Sequence, residues 1–174
     1  CAKIHEINRR IETGGKPFVA AINGSALGGG YELCLACHHR IASNETNLRV
    51  GFPEIKLGLL PGGGGTQRLP RMIGIRTAAQ VLLEGKSFDP ATALRNGLID
   101  ETVPKDNLLD AARTWLNGDS ADPVKSWDKR DFSVPDGGVW SQTGMQNFTA
   151  GNALLHGKTR GNYPAHQAIM SCLY

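Results

Sequence analysis

The amino-acid sequence predicts an α/β fold, and three observations carry that expectation. The apolar run PFVAAIN (17–23) stops at Asn23-Gly24, and the next apolar run begins only after Gly28, Gly29 and Gly30, which gives the order strand, glycine turn, helix. A second glycine run, LGLLPGGGG (57–65), opens the short helical pattern of TQRLPRMIG. Finally, LIDETV (98–103) reads as a strand and is followed by the helical NLLDAARTWLNG, closed by Gly118.

The remaining elements follow in order. Ile4, Ile7 and Ile11 recur at helical spacing in a charged segment that ends at Gly14-Gly15, so residues 2–13 are expected to form an amphipathic helix. After the glycine turn, residues 31–37 form a helix body, and HHRIAS and LRVGF read as strands around a polar loop at Asn44–Asn47. IRTAAQVLLEG has helical periodicity. DPATALRNG has Asp89 as N-cap, Pro90 at the first helical position and Gly97 past its end. No internal repeat is visible.

A chain of 174 residues, 40% hydrophobic, can bury one sizeable core, so one domain with an appendage is expected. The composition changes near Asp119. DSADPVKSWDKRDFSVPDGGVW mixes Pro, Gly and charge without periodicity and reads as a linker or extended arm. The division is therefore 1–118 for the core and 119–174 for the arm and tail. The helical pieces of that tail are too short for a core of their own and are expected to pack on a neighbour outside this chain.

Net charge is +3, with Lys and Arg scattered, which excludes a nucleic-acid or membrane-surface patch and suits a small anionic ligand. No apolar stretch has the length of a membrane span, and the first residues lack the pattern of a secretory leader. The four cysteines, Cys1, Cys34, Cys37 and Cys172, are too few and too unevenly spaced for a disulfide framework. A non-secreted protein of the bacterial cytoplasm or an organelle matrix is expected, so the sequons at Asn44 and Asn147 carry no glycan.

Several motifs compete to carry the chemistry. Cys34-Leu-Ala-Cys37-His38 has the spacing of haem attachment, and His39 adds a further nitrogen. No second ligand pair follows, however, and thiols among Leu33, Leu35 and Ala36 read as small buried hydrophobes. GNALLHGKT (151–159) ends like a phosphate loop but has five residues between its glycines instead of four. Neither glycine run has the order of a dinucleotide fingerprint. What remains is the triple glycine with Glu32 one turn on. Glycines at a helix mouth let main-chain N–H groups approach a developing negative charge, and Gly29 is the candidate donor. Glu32, and Glu54 just before the second glycine run, are candidate proton carriers. From spacing alone, Glu32 as a helix cap, Glu54 as a solvated loop residue and PGGGG as a tight turn remain open.

KPFVAAINGSALGGGYELCLACHHRIAS, RVGFPEIKLGLLPGGGGTQRLPRMIG and GLIDETVP together resemble the crotonase superfamily, specifically enoyl-CoA hydratases, from about residue 3 to residue 118. The resemblance implies a crotonase-like (ClpP/crotonase) stack of ββα units, truncated at its N-terminus, that binds acyl-CoA thioesters. It assigns the oxyanion amide to Gly29 and the catalytic pair to Glu32 and Glu54, which would add water across the double bond of a trans-2-enoyl-CoA. Hydration implies no cofactor and no metal, coenzyme A being part of the substrate. The family's second oxyanion amide lies upstream of Cys1, so this chain by itself is expected to be inactive. ASNETNLRV is about two residues longer than is usual between the glutamates and is expected to bulge at the surface.

WDKRDFSVPDGG and GNALLHGKTRGNYPA resemble the segment joining the hydratase to a 3-hydroxyacyl-CoA dehydrogenase in multifunctional fatty-acid oxidation proteins. That resemblance implies an NAD-dependent domain downstream, and either a homo-oligomer or a thiolase partner subunit. The rival activities are Δ3,Δ2-enoyl-CoA isomerisation and a non-catalytic acyl-CoA-binding or assembly module.

Overall fold

In the computed structural model, residues 2–174 are described; Cys1, one of the four thiols counted above, lies outside them. The chain runs α1 (Ala2–Thr13), β1 (Val19–Ile22), β2 (Ala26–Leu27), α2 (Gly29–Ala36), β3 (His39–Ser43) and β4 (Val50–Gly51). It continues through a 3₁₀ turn at Glu54–Leu57, α3 (Gly65–Ile73), α4 (Ile75–Glu84), β5 (Ser87–Phe88), α5 (Pro90–Arg95), β6 (Glu101–Val103) and α6 (Leu108–Leu116). Two further helices, α7 (Gln142–Thr159) and α8 (Pro164–Leu173), end it.

The strands form two small sheets. β1, β3 and β6 pair in parallel; β2 pairs in parallel with β4, and β4 pairs antiparallel with β5. Each ββ unit thus gives one strand to each sheet, β1 and β2 before α2, β3 and β4 before α3. Parallel neighbours need a crossover, which the intervening helices supply. β2 and β5, at two residues each, are too short to show a period of two and escape sequence reading.

The main core lies between the sheets and α2, α3 and α4, around Tyr31, Leu35, Phe52, Leu69, Leu82 and Leu98. A smaller cluster of Ile41, Leu108 and Ala112 packs α6 on the β1-β3-β6 sheet. Asp89 caps α5 as the sequence indicates, its carboxylate accepting from Thr92 N at 2.9 Å. The loop at Asn44–Asn47 stands at the surface.

Two expectations need correction. The tail does not wait for a neighbour: Phe148, Leu155, Ile169, Met170 and Leu173 join the main core. α1 is turned over relative to its isoleucine stripe. Ile4 and Ile7 are 52% and 54% exposed, while Asn8 and Glu12 are buried. The reason is polar: Asn8 Nδ2 donates to Gly63 O at 3.0 Å, and Glu12 forms a buried ion pair with Arg68. Those contacts, described next, decide which face turns inward.

Candidate active site

Strand β2 ends at Leu27, level with Gly51 on β4, and Gly28 N donates to Gly51 O at 2.9 Å. Gly28 takes φ +56°, which L side chains rarely adopt, and a Cβ there would lie 2.8 Å from Glu54 Oε1. Glycine is therefore required twice over, for its backbone and for the close approach of a carboxylate. The chain then enters α2 at Gly29. The amides of a first helical turn have no carbonyl behind them to bind, and they form the positive end of the helix dipole. Gly29 is exposed, and the space beside its α-carbon is open. Its amide is available to a ligand.

Glu32 lies one turn along, 3% exposed. Its Oε2 accepts from Gly63 N and its Oε1 from Gly65 N, both at 2.7 Å. The second glycine run is therefore more than a tight turn. A Cβ on Gly63 would meet Glu32 Oε2 at 2.6 Å, and one on Gly65 would meet the Phe52 ring at 2.6 Å and Glu32 Oε1 at 3.0 Å. These glycines leave room for a buried carboxylate and turn two amides onto it, a role their spacing did not reveal. The 62–65 loop is itself held: Gly63 O accepts from Asn8 Nδ2 at 3.0 Å and from Arg68 Nη1 at 3.1 Å. Arg68 in turn donates to Glu12 through Nε at 2.5 Å and Nη2 at 3.1 Å.

Glu54 reaches the same place by the neighbouring strand. β4 ends at Gly51, and the chain passes Phe52 and Pro53 into the 3₁₀ turn that begins at Glu54. Parallel strands side by side send their next residues out at the same end, where open α/β sheets bind ligands. Glu54 is half-buried, and its Oε2 is enclosed without a partner among the described residues. Burial pushes its carboxyl above the ordinary range, and the Glu32 charge adds to the rise. Gly29, Glu32 and Glu54 are thus brought to one mouth, with Gly28 between the helix and Glu54. Leu57 and Leu59, 76% and 58% exposed, stand just beyond Glu54 and offer an apolar margin. A cavity of about 560 Å³ between α4, α7 and α8 is lined by neither acid.

The competing motifs take structural places. Cys34 Sγ and Cys37 Sγ donate one turn back, to Gly30 O at 3.3 Å and Leu33 O at 3.6 Å. Burial pushes the Cys34 thiol up to about 11 and raises Cys37 as well, which disfavours the thiolate a metal needs. Residues 151–159 lie inside the continuous helix α7, which is not a phosphate loop.

Residues 2–122 match the enoyl-CoA hydratase/isomerase family. The chain is 43% identical over 170 residues to the fatty acid oxidation complex subunit alpha of Shewanella halifaxensis, covering 97% of this chain and 24% of that protein. It is 42% identical over 172 residues to the same subunit of Shewanella loihica, again covering 24% of its length. The chain thus spans about a quarter of the length of these relatives. Among solved structures, the enoyl-CoA hydratase of Bacillus anthracis is similar with a TM-score of 0.62 and 40% identity, covering 65% of this chain and 43% of that one. The enoyl-CoA hydratase of Mycobacterium tuberculosis is similar with a TM-score of 0.52 and 42% identity, covering 57% and 44%. The α/β architecture of paired small sheets and helices is that of the crotonase fold, and by the match over most of its length this chain belongs to the enoyl-CoA hydratase/isomerase family.

Proposed function

We propose that this chain carries the hydratase site of a multifunctional fatty-acid oxidation protein, adding water to a trans-2-enoyl-CoA to give the 3-hydroxyacyl-CoA. The observation that supports this most directly is the pair of acids at one helix mouth, Glu32 held by two amides and Glu54 against Gly28, the residue before the open amide of Gly29. Charge collects on the thioester oxygen as water adds at C3, and the Gly29 N–H stabilises it there. A preorganised donor of this kind is typically worth ~2.7–4 kcal/mol. Glu32, already fixed as an acceptor on both oxygens, orients the incoming water. As the water oxygen bonds to C3, Glu32 takes the proton the water sheds, and Glu54, its carboxyl raised by burial, gives its own proton to C2; exchange with solvent then restores both acids.

Acyl-CoA is the substrate in this reading, and hydration draws on no other cofactor. The relatives' name, fatty acid oxidation complex subunit alpha, supports a multifunctional complex; the same proposal adds a downstream NAD-dependent 3-hydroxyacyl-CoA dehydrogenase, a thiolase or like-subunit partner and a cytoplasmic setting, with 1–118 as the hydratase core and 119–174 as an arm whose last helices pack back on it. Two acids at one mouth favour hydration over double-bond isomerisation. The test is Glu54→Gln in the full-length protein, followed by the loss of enoyl absorbance of crotonyl-CoA. A fall of roughly 10²–10⁴-fold in kcat is expected, with acyl-CoA binding retained. Turnover close to that of the unaltered protein overturns the assignment.

A further inference from the structure

The 119–140 segment has the composition of a loose connection, yet one of its lysines is among the most buried charged groups of the protein. Lys125 is 5% exposed. Its Nζ donates to Cys37 O at 2.6 Å and Leu35 O at 3.1 Å, and stands 4.3 Å from the centre of the Trp127 ring. Those carbonyls belong to the C-terminal end of α2, the helix whose first turn bears Gly29 and Glu32. α2 stops without a left-handed glycine, since Cys37 is extended at φ −67°, ψ 152°. Its last carbonyls therefore lack the usual return hydrogen bonds and need donors from elsewhere. Lys125 is one, and Arg40 Nη1, at 3.0 Å from Cys37 O, is another.

Three residues on, the same segment reaches α1. Asp128 binds Arg9 through two hydrogen bonds, of 2.8 and 2.6 Å. Arg9 also donates to Glu12 Oε2 at 3.0 Å, and Glu12 holds Arg68, which donates to Gly63 O. Gly63 N is the donor to Glu32 Oε2. An unbroken series of polar contacts thus links the arm to the Glu32 carboxylate, while Lys125 holds the far end of a helix only about 12 Å long. Glu12 is turned inward at the expense of the isoleucine stripe of α1, which marks the series as a determinant of the fold.

We propose that residues 125–128 brace the reactive helix from both ends: Lys125 closes its C-terminus, and Asp128, through Arg9, Glu12 and Arg68, fixes the loop whose amides hold Glu32. Lys125 and Asp128 are then positioning residues for the hydration proposed above, and the inference rests on that reading. Displacement of a reacting group by about 1 Å can cost on the order of 10²-fold in rate, so looseness here is read in kcat.

The experiment compares Lys125→Met, Lys125→Arg, Asp128→Asn and Glu54→Gln in the full-length protein, with kcat and KM for crotonyl-CoA and circular dichroism of each. The expected result is a fall of about 10-fold or more in kcat for Lys125→Met and Asp128→Asn, KM within about 2-fold, and recovery of most of the rate in Lys125→Arg. Asp128 is a partly exposed side chain, so Asp128→Asn carries the test should Lys125→Met not fold. If Glu54→Gln is inactive while Asp128→Asn and any folded Lys125→Met keep kcat within about 2-fold, the brace is wrong and the hydratase reading stands. A change confined to KM overturns it likewise. If Glu54→Gln stays active, the hydratase reading fails and the brace fails with it.

Discussion

Replacing Glu32 by Gln looks, from sequence, like the mildest way to silence an acid. The structure predicts a stability cost as well. Both carboxylate oxygens accept an amide, Gly63 N and Gly65 N, each at 2.7 Å. A Gln side chain has one acceptor oxygen and a donor NH₂, so whichever way it turns, one glycine amide faces a donor inside a site that is 3% exposed. One hydrogen bond to a charged group is lost, and one buried donor is left unpaired. Together these amount to roughly 2.5–6 kcal/mol. Glu54 provides the contrast, because its Oε2 has no partner among the described residues and its carboxyl is raised by burial, so Glu54→Gln removes little that is stabilising. Urea denaturation measures both: the midpoint of Glu32→Gln drops with an unchanged slope, while that of Glu54→Gln stays near the parent. A Glu32→Gln protein within about 0.5 kcal/mol of the parent, the ordinary scatter of surface substitutions, refutes the two-amide cradle.

Two further outcomes follow from the same geometry. Gly63→Ala places a methyl 2.6 Å from Glu32 Oε2, so the carboxylate must move; kcat for hydration is expected to fall by about 10²-fold, and a fall under about 3-fold counts against the cradle. Lys125, whose proton affinity is lowered from 10.5 to about 7 by burial and by the Arg40 charge, against the opposing pull of Glu12, Asp100 and Cys37, makes stability depend on pH. Its folded value lies below its unfolded one, so above pH 7 the unfolded chain binds the extra proton and stability rises with pH, by up to about 1.4 kcal/mol per unit. The thiols of Cys34 and Cys37, raised by burial, act in the opposite sense once unfolded cysteines begin to ionise near pH ~8.5. The window is therefore pH 7 to about 8.5, where thermal unfolding should show a rise that Lys125→Met abolishes; an equal slope in both proteins excludes it.

Much of this was legible in the sequence, for identifiable reasons. Helices α3, α4 and α5 carry periodicity and end signals strong enough to read unaided, with Asp89 and Pro90 marking the start of α5. Gly29 and Glu32 were legible as a helix mouth with an acid one turn along. Glu54 was legible as a second candidate acid, but joining it to Glu32 needed the family resemblance, because their nearness comes from the pairing of β2 with β4, and strands of two residues leave no pattern. The cradle at Gly63 and Gly65 was hidden because a glycine in a turn does not reveal which group it makes room for. The buried face of α1 was misread for a related reason: hydrophobic spacing marks Ile4 and Ile7, but a site that needs Asn8 and Glu12 inside overrides it. Lys125 gave no signal at all, since its acceptors are main-chain carbonyls some ninety residues away.

The pairing of β2 with β4 has one more consequence. Leu27 sits level with Gly51, so the offset between the acid-bearing segments is inherited from adjacent rungs of a ladder, whose spacing of about 4.8 Å no loop can alter. Residues added between Ser43 and Leu48 lengthen only a surface excursion. The loop between Ser43 and Leu48 is therefore free to vary in length and composition, while the spacing of the two acids stays locked to the geometry of two neighbouring backbones.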